Sequence, residues 1–97
     1  MNTDKQNSDL TSVMLYNSLT KRFSAASLSD AEIESETNIL DAQNEEMYEL
    51  FLQKGDELAK YLNEHQPKVS GGYNALGLPC WVFQSENDEL KALNCLS

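Results

Sequence analysis

Residues 28–65 read LSDAEIESETNILDAQNEEMYELFLQKGDELAKYLNEH, and the period of their apolar positions decides the fold expected of the chain. The stretch opens on a capping box. Ser29 is placed to accept from the amide of Glu32, and the Glu32 carboxylate to reach back to the amide of Ser29. Leu28, just ahead of the cap, can staple onto Ile33. Asp30 and Glu32 suit the positive end of a helix dipole. From there Ile33, Leu40, Met47, Phe51, Leu58 and Leu62 fall within a narrow wedge at ~100° per residue, widened by Tyr48 and Ala59. Gly55 lies inside this run and costs about 1 kcal/mol against Ala, which would suit a kink, a close helix contact or a fresh start capped by Asp56. The stripe keeps its phase across Gly55, however. The spacing therefore predicts one long helix from Ser29 to His65, stopped by Pro67.

On the amino-terminal side, residues 1–8 are polar and expected to be disordered. Leu10, Val13, Met14, Tyr16, Leu19 and Phe23 then predict a first helix from Asp9 to Ser24, with apolar contacts spread around it. On the carboxyl side, residues 67–79 are turn chemistry, with Pro67, Gly71, Gly72, Asn74, Gly77 and Pro79. Cys80 to Phe83 is β-prone. It reads either as a short strand, paired in a hairpin with Val69–Tyr73 or with a second subunit, or as an ordered loop that plugs Trp81 and Phe83 into a helical core. Ser85 or Asn87 caps a last short helix carrying Leu90, Leu93 and Leu96. The expected fold class is therefore mainly α: a single small helical domain over 9–97, with one long central helix and a short β-hairpin or ordered loop near the carboxyl end. A chain of 97 residues has room for one modest core, and dimerisation would supplement it.

The net charge of −9 comes from 16 acids against 7 bases. That balance disfavours direct binding to nucleic acid or to an anionic membrane and favours basic protein surfaces. The excess is local, because residues 31–64 hold ten acids and two bases. On a continuous helix Glu34, Asp41, Glu45, Glu49 and Asp56 fall within ~80° of one another, opposite the apolar stripe. Their steps along the axis are about 10, 6, 6 and 10 Å. The phosphate repeat of a DNA strand is about 6–7 Å, so such a row can occupy a groove built for a nucleic-acid backbone. Glu46 and Glu57 add a second acidic edge. Any solvated amphipathic helix can carry acids on its outer face. Here, though, no base lies between Glu32 and Gln53, and the like-charged pairs Asp41/Glu45 and Glu45/Glu49 each cost a few tenths of a kcal/mol.

No motif names a chemistry. His65, Cys80 and Cys95 lack metal-ligand spacing, and no calcium loop is present, so no metal or other cofactor is expected. A Cys80–His65 pair has no third group to orient it. Exposed carboxylates lack the desolvation that acid catalysis needs. Ser70-Gly71-Gly72-Tyr73 lacks the Lys and Ser/Thr of a phosphate loop. No catalytic residues are assigned. Tyr73, Trp81 and Phe83 read as core anchors in the first place and as an interface group in the second. The first residues include no apolar leader and no stretch is long enough to span a bilayer, so a cytoplasmic protein with free thiols is expected.

In its short length, its charge, the row at Glu34, Asp41, Glu45, Glu49 and Asp56, and its lack of catalytic motifs, the chain resembles the small acidic inhibitors of phages and mobile elements. DNA-mimic antirestriction and anti-CRISPR proteins are among them. The resemblance covers mainly residues 31–64. It implies a stoichiometric inhibitor that fills a Lys/Arg-rich nucleic-acid-binding cleft of a host defence protein. Glu34, Asp41, Glu45, Glu46, Glu49, Asp56 and Glu57 would bind that partner. The neutral first third departs from such mimics and is free to serve a homodimer. Two other classes fit the composition: an antitoxin or immunity protein that neutralises a basic toxin, and a helical adaptor or dimeric subunit whose acids only solvate it.

Overall fold

The computed structural model describes residues 10–35 and 38–97. The expected disordered segment at 1–8 lies outside them. In chain order the elements are β1 (Thr11–Asn17), β2 (Arg22–Leu28), α1 (Asp30–Ser35), β3 (Ile39–Leu40), α2 (Glu45–His65), β4 (Val69–Tyr73), β5 (Pro79–Phe83) and α3 (Glu86–Leu96). The strands form one mixed sheet in the order β2-β1-β3-β5-β4. The expectation of a mainly helical domain is thus overturned: the fold is α+β, with a five-stranded sheet and three helices among the described residues.

The largest correction is at the amino-terminal end, where the expected helix over Asp9–Ser24 is an antiparallel hairpin. β1 pairs with β2 from Thr11↔Leu28 to Asn17↔Arg22. The reversal is built by Asn17, whose Oδ1 accepts from the amides of Leu19 (2.9 Å) and Thr20 (3.1 Å). Lys21 closes it in the left-handed region at φ 57°. Asn tolerates such turns because its side chain imitates a backbone acceptor. Leu19, taken as a helix contact, sits on the turn and is 92% exposed. The true period is two. Met14 and Tyr16 face Ala25 and Phe23 across the ladder, and these four join the core.

The long helix also breaks. The Ser29/Glu32 capping box is present: the Ser29 amide donates to Glu32 Oε1 (3.0 Å) and the Glu32 amide to Ser29 Oγ (3.3 Å). It opens only α1. Asn38 then stands at φ 61°, and Ile39 and Leu40 leave helical geometry to join the sheet, antiparallel to β1 and parallel to β5. A new helix begins after Asn44, whose Oδ1 accepts from the Glu46 amide (2.8 Å). Ile33 and Leu40 kept the stripe's phase only because they lie seven residues apart. α2 itself kinks, with Lys54 at φ −137°, ψ 44°. Gly55 explains where. A Cβ there would lie 3.3 Å from the Phe51 ring and 3.4 Å from the Ala25 methyl, so glycine lets α2 approach β2 closely. Gln66, left-handed at φ 45°, caps the end ahead of Pro67.

The carboxyl-terminal third follows the hairpin reading. β4 and β5 pair antiparallel, with Asn74 Oδ1 and a left-handed Gly77 (φ 80°) shaping the turn. Ser85 caps α3. Met14, Phe23, Trp81 and the inner faces of α2 and α3 form one core, with Trp81 1% exposed. Within the sheet the two hairpins are joined by β3, which is two residues long. On the edge strand β2 a side chain takes the place of a neighbour at one position: Asn63 of α2 accepts from the Phe23 amide (2.7 Å) and donates to the Phe23 carbonyl (3.0 Å).

The cap on α1 is pH-sensitive. Hydrogen bonds from the Ser29 amide and hydroxyl hold the Glu32 carboxyl below its ordinary value of 4.5. A carboxyl lowered in the folded state stabilises fully above its unfolded value, and the effect is lost as pH falls through the folded one. The Ser29 amide proton resonance should therefore move toward its random-coil position as pH drops below about 4.5. Glu32→Gln should abolish that titration. A Ser29 resonance that does not titrate in the native protein would dismiss the cap as a pH-dependent element.

Candidate functional site

The structure divides the expected carboxylate row among several elements. Glu34 lies on α1. Asp41 lies just past β3, where its amide donates to the Trp81 carbonyl (3.2 Å). Glu45, Glu46 and Glu49 occupy the first two turns of α2 and are exposed. Asp56 and Glu57 follow the kink. Around α2 the acids diverge. Glu46 and Glu49 line a cleft against Leu93, Asn94 and Leu96 of α3. Asp56 instead lines clefts against Ala25 of β2. A straight line of carboxylates on one rod is therefore not what the chain presents.

The fold assembles a different acidic surface. The segments that lead into α2 and α3 run side by side, because β3 and β5 are parallel neighbours and each ends in a capped helix start. Between them lies a cleft of about 420 Å³, lined by Asp41, Asn44, Ser85, Glu86 and Glu89. Glu45 and Glu46 occupy the first turn of α2, and Glu86, Asp88 and Glu89 that of α3. Acids in a first turn are favoured by the free amides and the dipole there, by about 0.3–1 kcal/mol each. Sequence reasoning took Ser85–Glu89 as a helix start only. The run of acids was visible, but its neighbour Asp41 is 45 residues earlier in the chain.

Of the six Lys and Arg among the described residues four gather elsewhere, while Lys54 lines the cleft beside Glu46 and Glu49 and Lys91 lies on α3. Lys21 and Lys68 line a cleft with Tyr16 and Gln66, and Arg22 and Lys60 line one with Asn63. Both surround the carboxyl end of α2, where cations oppose the negative end of the dipole. His65 is held there by Tyr61, with its Nδ1 3.0 Å from the Tyr61 carbonyl and its ring stacked at 4.0 Å. A carbonyl only accepts, so Nδ1 carries the proton.

Cys80 alternates with Trp81 along β5, and Trp81 points into the helical layer, so the thiol faces the opposite side of the sheet. Burial pushes that thiol's pKa up, with a smaller contribution from Asp41, which makes it a poorer nucleophile. Cys80 and Cys95 are both free thiols. Among the described residues no group of three or more His, Cys, Asp or Glu side chains is placed to hold a metal ion, and no helix is long and apolar enough to cross a membrane. Trp81 is a core anchor, whereas Tyr73 is 76% exposed. No protein-family model, no curated protein and no solved structure matches the chain.

Proposed function

We propose that the protein is a non-catalytic, stoichiometric binder whose acidic pole seats on a basic surface of another protein. The observation that carries this reading is the meeting of two helix starts at one cleft. Asp41, Glu86 and Glu89 line it and Glu45 and Glu46 open α2 beside it, with Lys21, Arg22, Lys60 and Lys68 gathered at the far end of α2. A molecule polarised in this way approaches a cationic cleft in one preferred orientation. The chemistry of such a receptor is that of a groove that holds a nucleic-acid backbone, and the binder would compete for it as a decoy. A cytoplasmic setting goes with this reading. A basic toxin surface would be recognised by the same electrostatics.

The test is capture from cells with mass spectrometry, comparing the native chain with Glu45→Lys/Glu49→Lys and with Glu86→Gln/Glu89→Gln. A basic, nucleic-acid-binding partner is expected with the native chain. Each double variant should weaken its capture about tenfold or more, and rising salt should release it. A partner retained by both variants at high salt would refute electrostatic recognition and leave the acids as solvation of the helix starts.

A further inference from the structure

The two edges of the sheet are treated differently. On β2, where Phe23, Ala25 and Ser27 face outward, the amide and carbonyl of Phe23 are both taken by the Asn63 side chain, which blocks a strand at that position. On β4 the Gln84 amide donates to the Lys68 carbonyl (3.1 Å) and the Asn74 amide to the Leu78 carbonyl (2.9 Å). These bonds fix the ladder. Ser70 and Gly72 face β5, and the backbone groups of Val69, Gly71 and Tyr73 face outward. Among the described residues the only group that reaches them is Gln84 Nε2, 3.5 Å from the Val69 carbonyl. β4 carries no charge, no proline and no bulge, the usual devices that keep an edge from pairing. Gly71, Gly72 and Tyr73 are exposed, and Leu76 on the adjoining turn is 83% exposed.

The occupant follows from charge. A chain of net −9 repels its own copies over most of its surface. From His65 to Ser85, however, there is no acidic residue, and Lys68 is the single Lys or Arg. The bare edge lies in the middle of that stretch. We infer that β4 is a docking edge for a second copy of this chain, paired antiparallel about a twofold axis at Gly71. The outward pattern Val69-Gly71-Tyr73 is self-complementary in that register. Gly71 meets its symmetry mate with no side chain at the axis, and each Tyr73 ring flanks the partner copy's Val69 position. About six interchain backbone hydrogen bonds result, from one N–H and one C=O on each outward residue. Two five-stranded sheets then continue into one of ten strands, and the acidic poles stay outside the joint.

Sedimentation and light scattering over about a hundredfold range of protein concentration test this directly. The native chain is expected to dimerise reversibly, and more tightly as salt screens the charge of the two copies. Capture of a basic partner weakens with salt, so the two interactions separate by the sign of their salt dependence. Gly71→Lys and Gly71→Glu place like charges opposite each other at the axis, and each alone is expected to be monomeric. Mixed together they should form a one-to-one heterodimer. A Cβ at Gly71 is 3.6 Å from its nearest neighbours, Asn38 Oδ1 and the Cys80 carbonyl, so both variants fit the folded monomer. In the native chain, hydrogen exchange at the Gly71 and Tyr73 amides should slow as concentration rises. A native chain that stays monomeric throughout overturns the inference and leaves the edge to an extended segment of another protein. Dimers that persist in both single variants, or a mixture that fails to associate, overturn it as well.

Discussion

Trp81→Ala is expected to lower the unfolding free energy by about 3–5 kcal/mol, the range for removing a buried aromatic side chain. A chain of this size has only about 5–15 kcal/mol in total. Three observations put this site at the upper part of the range. The side chain is 1% exposed. Its ring meets Phe23 at 5.1 Å and Phe83 at 5.7 Å, both edge-on, an arrangement that adds to simple burial. Its Nε1–H donates to the Met14 carbonyl (3.3 Å) and so ties β5 to β1. That bond passes over β3, the two-residue strand that joins the hairpins within the sheet. Losing the indole removes the side-chain clamp across the weakest part of the sheet. Urea denaturation followed by far-UV circular dichroism measures the effect. Trp81→Phe keeps much of the ring contact but not the N–H, and should cost clearly less, about 1–2 kcal/mol. A loss below about 1 kcal/mol in the alanine variant would mean that the hairpins do not depend on this contact.

The parts of the fold legible in the sequence are those fixed by local chemistry. The capping box at Ser29/Glu32, the Ser85 cap, the stop at Pro67 and the β4–β5 turn all rest on residues within a few positions of one another. The errors arose where tertiary context overrode an ambiguous period. Leu10 to Phe23 contains apolar residues at both helical and alternating spacings, and its amide-capped turn at Asn17 was overlooked. Ile39-Leu40 reads as helix because Leu40 lies seven residues from both Ile33 and Met47. The signals for two elements were nonetheless present: Asn38 suits a left-handed break, and Asn44 before Glu45-Glu46 suits a fresh helix start.

The site shows the same division. That residues 31–64 carry the acidic excess was readable, and so was the exposure of Glu45, Glu46 and Glu49. Their grouping was not. The parallel pairing of β3 with β5 brings Asp41 beside Glu86 and Glu89, and no periodicity links those positions. Parallel strands of this kind send the chain into helices at the same end, so acids that cap two helices separately become one surface.

Asn63→Ala should destabilise the fold by about 1–3 kcal/mol and free one more position of the β2 edge for pairing. The Asn63 amide makes two hydrogen bonds to one residue of β2, accepting from the Phe23 amide at 2.7 Å and donating to its carbonyl at 3.0 Å. A neighbouring strand would make the same pair of bonds, so Asn63 stands in for one. Without it the two groups are left beside the buried Phe23 ring with no protein partner. For a chain of this length the thermal midpoint should fall by roughly 5–15 °C. Asn63→Asp separates hydrogen bonding from packing. Its carboxylate can accept from the Phe23 amide but opposes the carbonyl, whereas the protonated acid can do both. The protonated form, which dominates below the ordinary aspartate value of about 3.9, is thus the one that replaces both bonds. The variant should be closest to the native chain below that pH, and its deficit should grow as pH rises above it. Thermal melts of the three proteins across that range measure the difference. If the aspartate variant trails the native chain by the same amount at every pH, the amide's role is to fill space and not to seal the edge.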